Sequence, residues 1–242
     1  KKIKDKYKGL PILFTRDYSE ITEKYLEGKY LEFKQKNFDY SKLFLNFWNK
    51  EDKKKITHNS QYWIQKNMNK NHYSHVDNKN IPLERKLDEI FNKKNNGFFI
   101  ELGANNGLFQ SNTAFLEKYR NWRGILVEPS FKGYKLCVKN RPKSICLNNA
   151  CVSNEYKKEY IEGDFIDNHP MGSIDGMRLS KKYNKQINNL CKIKTTTLEK
   201  ILDKNYINNI DLLSLDTEGY ELEILKGLNL NKYRPTYLLI EI

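Results

Sequence analysis

The sequence predicts an α/β chain built on an open, doubly wound parallel sheet. Three observations predict it. The apolar run Phe98-Phe99-Ile100 passes through Glu101-Leu102 into Gly103-Ala104-Asn105-Asn106-Gly107, a buried strand entering a glycine turn. A helical pattern of Ala114, Phe115, Leu116 and Tyr119 follows Ser111 and Asn112, residue types that cap helices. A second apolar strand, Ile125-Leu126-Val127, then ends in Glu128-Pro129. Strand, glycine turn, helix and acid-tipped strand together make a nucleoside pocket. The glycines let the backbone approach a ligand, and the terminal acid can accept both ribose hydroxyls.

The elements follow in order. Residues 1–70 form a mostly helical segment of their own, opening with a short strand over 10–14. Asp17-Tyr18-Ser19-Glu20 reads as a capping box for a helix carrying Ile21, Tyr25, Leu26, Tyr30 and Phe33. A second helix from Asp39 carries Leu43, Phe44, Phe47 and Trp48. One strand and two amphipathic helices cannot bury their apolar faces alone, so they need a further surface, on the α/β part or outside this chain. Residues 71–96 are linker and lead-in helix (83–91), after the polar stretch 67–80. The α/β domain is 97–242. Its strands are expected at 98–102, 125–128, 144–152, 211–216 and 237–242, in the spatial order 3-2-1-4-5 that right-handed crossovers impose. Helices are expected at 132–139, stopped by Pro142, and at 220–228. Another is capped by Thr196 with Glu199 three residues on. Residues 153–192 read as irregular and, being long for a connection, as a cover over a site.

Composition narrows the function classes. No apolar run exceeds four residues, so no membrane span or signal peptide is expected. Cys137, Cys146, Cys151 and Cys191 form no Cys-x-x-Cys pair, which favours reduced thiols and a cytoplasmic setting. Of the net charge of +13, residues 1–96 hold +9 (22 Lys and Arg against 13 Asp and Glu). Such an excess can bind an anionic partner, but no base-stacking motif accompanies the lysines, so nucleic acid is not the favoured partner. The chain starts at Lys1-Lys2 without a methionine and stops inside a strand at Glu241-Ile242, so both ends read as cut, either by design or because this is a portion of a longer polypeptide.

The glycine spacing is not the Gly-x-Gly-x-x-Gly of a dinucleotide site, and Glu101 at the strand end would repel a pyrophosphate. A carboxylate there suits a cation. S-Adenosylmethionine, with an ammonium, a sulfonium and no phosphate, is therefore the expected ligand in place of NAD.

With Asp216-Thr217-Glu218-Gly219-Tyr220-Glu221 added, the chain resembles the FkbM-type family of S-adenosylmethionine-dependent methyltransferases over residues 73–242. The matching pieces run in series through Ile100–Gly107, Gln110–Thr113, Val127-Glu128-Pro129, Asn149-Ala150 and Thr197-Leu198. They continue through Ile210–Glu221, Leu225-Lys226-Gly227 and Glu241. The resemblance implies a Rossmann-like methyltransferase sheet and O-methyl transfer to a sugar or another secondary metabolite. Members of the family usually continue into further strands, so the domain is expected to be C-terminally truncated. Residues 9–21 are similar to the closing strand and helices of exostosin-like glycosyltransferases, which implies a glycosyltransferase remnant and a glycan acceptor.

The cofactor is then expected against Gly103, Ala104, Asn105 and Gly107, with Glu101 either touching its methionyl arm or fixing the loop. Glu128 would take the ribose, and Asn149 and Ala150 would flank the adenine, unless Asn149 is only a turn residue. A sugar hydroxyl needs a base, and Asp216 and Glu218 at the end of the fourth strand are candidates. Crowded carboxylates there raise one another's pKa. Glu221 reads as a helix-start acid, and the cluster could alternatively hold Mg²⁺. His169, in the covering segment, is a further base or plain surface. Two other functions stay open: an RNA methyltransferase, suggested by charge, and a non-catalytic module that keeps the fold.

Overall fold

The structure, a computed structural model, describes residues 12–14, 73–74, 82–165, 172–174 and 190–240. In chain order the elements are β1 (Ile12–Phe14), α1 (Leu83–Ile90), β2 (Phe98–Leu102), α2 (Ala114–Arg120), β3 (Arg123–Val127), α3 (Phe131–Asn140) and β4 (Ile145–Leu147). They continue with β5 (Ala150–Cys151), β6 (Tyr160–Gly163), β7 (Cys191–Thr196), α4 (Leu198–Lys204), β8 (Leu212–Leu215), α5 (Glu221–Lys226) and β9 (Tyr237–Ile240).

Six strands form one sheet in the order β4-β3-β2-β8-β9-β1, and every pair is parallel. The first five reproduce the expected 3-2-1-4-5 order of a doubly wound, Rossmann-like sheet. β1 adds a sixth from the N-terminal segment, with Ile12 opposite Leu238 and Phe14 opposite Ile240. The helices expected after Asp17 and from Asp39 lie outside the described residues.

Alternation along the strands sorts the core onto two faces. Ile125, Ile100, Leu213 and Leu238 stand in one row across the sheet and pack with Leu198, Leu202, Ile224 and Leu228 of the α4–α5 side. Phe99, Leu126, Leu212 and Leu239 face the other way, onto Leu87, Phe115, Leu116 and Trp122. Glu101 shares its row with Leu126, Ser214 and Leu239, so its side chain points onto the helical face that holds α2.

Three expectations are corrected. The single strand expected over 144–152 is two. Asn148 donates its side-chain amide to the carbonyls of Glu128 (2.9 Å) and Pro129 (2.8 Å), which ends β4 and turns the chain away. β5 then joins a separate sheet in the order β5-β7-β6, with β5 parallel and β6 antiparallel to β7. The stretch expected to be irregular thus contributes β6 and the first two residues of β7, around an apolar cluster of Ala150, Val152, Ile161, Phe165 and Ile193. The α4 cap is also one residue later than expected. Thr196 is taken by β7, its carbonyl accepting from Val152 N (2.8 Å), so Thr197 caps α4 by accepting from Lys200 N. At α2 the expected Ser111 does supply a cap bond, its Oγ accepting from Ala114 N at 3.1 Å, although Thr113 holds the N-cap position.

The side sheet meets the main body closely. A Cβ on Gly227 would lie 2.2 Å from the carbonyl oxygen of Val152, so only a glycine lets the α5 end and the β5 exit touch. Among the described residues, no helix is long and apolar enough to cross a membrane.

Candidate functional site at the carboxyl ends of the strands

A parallel sheet gathers its strand ends on one side, where β2, β3 and β8 deliver Leu102, Val127 and Asp216 to a common cleft. About 650 Å³ of empty space lies there, part of it open to solvent.

Gly103 makes the floor. It sits at φ +79°, and a Cβ there would fall 1.8 Å from the Asp216 carbonyl oxygen. Any other residue would force β2 and β8 apart at their ends. Asn105 follows at φ 51° and turns its backbone N–H onto Glu128 Oε2, at 2.7 Å. Glu128 Oε1 accepts from Ser130 N at 2.8 Å. The carboxyl is almost wholly buried, and this desolvation pushes its pKa up to about 7, against the pull of the two N–H donors.

The opposite wall is the turn after β8. Glu221, in the first turn of α5, accepts from Thr217 N (2.8 Å), Thr217 Oγ1 (3.0 Å) and Gly219 N (3.2 Å). It holds the turn closed and does not line the cleft, while burial raises its pKa. That turn presents Asp216 and Glu218 to the cleft, Glu218 at φ 59°. The side sheet supplies Asn149, Ala150, Cys151 and Phe165; Asn149 also donates to the Lys194 carbonyl.

Seven of the residues expected at the site therefore share one cleft: Gly103, Asn105, Glu128, Asn149, Ala150, Asp216 and Glu218. Glu101 beneath the loop, and Ala104 and Gly107 within it, lie outside the cleft lining. Of the two roles open to Glu101, its contacts are those of the loop-fixing one. Its carboxylate accepts from Ser111 Oγ (3.0 Å), Asn112 N (2.8 Å) and Thr113 Oγ1 (2.6 Å), and stands 3.7 Å from Arg141. The charge argument built on Glu101 thus passes to other acids. His169 and Glu241 lie outside the described residues.

Sequence reading missed Phe165, Ile174, Thr217 and Tyr220 in the cleft. Tyr220 stands beside the recognised acids, but an aromatic at a helix start carries no distinguishing pattern. Ile174 reaches the site through the bridge of Gly163 with Ile174, a long-range pairing invisible locally.

Among the described lining residues there are three carboxyl side chains, Glu128, Asp216 and Glu218, and no lysine, arginine or histidine. Such a cleft repels phosphates and favours a cationic ligand with hydroxyls. Among the described residues no group of three or more His, Cys, Asp and Glu could hold a metal ion. The family model of the methyltransferase FkbM domain matches residues 101–242, from Glu101 in β2 through the last strand. No curated protein matches the chain.

Proposed function

The chain belongs to the methyltransferase FkbM domain family, and on that premise we propose that it is an S-adenosylmethionine-dependent O-methyltransferase acting on a sugar or glycan hydroxyl. The observation that carries the reading is the acid-only cleft, because the donor is cationic and phosphate-free whereas NAD brings a pyrophosphate. S-Adenosylmethionine supplies the methyl group from its sulfonium when bound.

In this reading Glu128 holds the ribose hydroxyls, since each carboxylate oxygen already bonded to one N–H keeps further acceptor capacity. Gly103 and Asn105 support the methionyl arm, and Asn149 and Ala150 border the adenine. Asp216 and Glu218 orient the acceptor hydroxyl, and one of them removes its proton, an effect worth about 10²–10⁴-fold in rate. His169 is the alternative base. Positioning the acceptor oxygen behind the methyl adds several kcal/mol, up to ~7–11.

Calorimetric titration with S-adenosylmethionine and NAD side by side tests the donor. Binding of the former and not the latter is expected, and equal or reversed preference overturns the reading. Asp216→Asn and Glu218→Gln then separate an enzyme from a module that only keeps the fold. Methyl transfer to saccharide acceptors should fall about 10²-fold or more in at least one variant while donor affinity persists.

A further inference from the structure

We propose that Arg141 is a positioning residue that, with Cys137 and Asn140, clamps the glycine loop from below and so sets the Asn105 N–H and the Glu128 carboxyl for donor binding. The proposal rests on the donor reading above. Residues 137, 140 and 141 follow the i, i+3, i+4 spacing of one helix face at the end of α3. They take three successive loop carbonyls. Cys137 Sγ reaches Asn105 O at 3.1 Å, Asn140 Nδ2 donates to Asn106 O at 2.8 Å, and Arg141 Nη1 donates to Gly107 O at 2.9 Å.

Arg141 also ties this loop to the helix after it. Its guanidinium donates to Ser111 Oγ (3.1 Å), Thr113 Oγ1 (3.0 Å) and Glu117 Oε2 (2.9 Å), with Glu101 at 3.7 Å. The side chain is 2 % exposed, and those of Glu101 and Glu117 are 4 % and 7 %. A planar fork with five donors serves all these acceptors together, which a lysine ammonium cannot do. With its carbonyls held, the loop cannot rotate its peptide units. The N–H that bonds Glu128 Oε2 shares its peptide unit with the Ala104 carbonyl, which accepts from Gly107 N at 2.8 Å and lies 3.9 Å from Cys137 Sγ, so the clamp on Gly107 and the thiol hold that unit, although Arg141 touches neither the cleft nor Glu128.

Arg141→Lys keeps the charge and loses the fork. Asn140→Ala removes one loop contact and leaves the ion network intact. Three measurements apply to each variant: amide hydrogen exchange of residues 104–108 without ligand, the unfolding midpoint, and the calorimetric Kd for S-adenosylmethionine. Loop exchange and Kd should each rise about tenfold in Arg141→Lys, with β2 and β3 amides unchanged. In Asn140→Ala both should rise about threefold at the parent unfolding midpoint. Loop exchange or donor affinity within twofold of the parent in the foldable variants overturns the proposal, because the contacts then only brace the fold. Failure of the parent to bind S-adenosylmethionine removes the donor reading instead, and loop exchange in the ligand-free chain still reports the clamp.

Discussion

Glu128 holds its carboxyl between two backbone N–H donors in a position almost closed to water. In the folded chain it keeps its proton up to about pH 7, whereas an ordinary glutamic acid releases it near 4.5. Its contribution to stability is therefore fully present below 4.5, declines as the pH climbs through that window, and is gone above about 7. The full loss is at most ~3 kcal/mol. Glu128→Gln should abolish this slope: thermal unfolding from pH 4 to 8 is expected to show a flatter curve for the variant. Below pH 4.5 the variant should be the less stable, because an amide nitrogen must then face a backbone N–H, and the difference should shrink as the pH rises and the parent loses its own contribution. At this scale the acids differ in how legible they are. Glu128 and Asp216 follow from their place at strand ends. Glu101 lies one residue inside the strand and two from Phe99, so the two-residue period puts both on the α2 face, away from the cleft.

Between elements, legibility depends on whether the deciding contact is local. Strands β2, β3, β8 and β9 and helices α1 to α5 are marked by apolar period, glycines and caps, and each is found within a few residues of its expected bounds. The break between β4 and β5 is not marked, because it depends on Asn148 reaching the carbonyls of Glu128 and Pro129, about twenty residues away. Likewise either Thr196 or Thr197 can cap α4, and only the pairing of Thr196 with Val152 in the side sheet decides. This gives a direct test. Thr197→Ala should cost ~1 kcal/mol in urea unfolding, the value of a lost N-cap. Thr196→Ala, whose backbone does the pairing, should cost less.

For the whole molecule, β1 matters out of proportion to its three residues. It covers the outer edge of β9, whose Tyr237-Leu238-Leu239-Ile240 backbone would otherwise offer unpaired N–H and C=O groups beside an apolar core. Removing residues 1–72 should therefore produce concentration-dependent self-association in sedimentation velocity, absent from the parent chain. The sequence marked this strand, but its partner, more than two hundred residues on, could not be read from local pattern. The close approach at Gly227 has a consequence of another kind. The chain leaves the six-stranded body after Asn148 and comes back at Thr197, so the described residues between them form an excursion whose exit is seated by the missing side chain of one glycine. A methyl group at that seat would lever the excursion outward and widen the mouth of the cavity, with strands and carboxylates of the floor left in place.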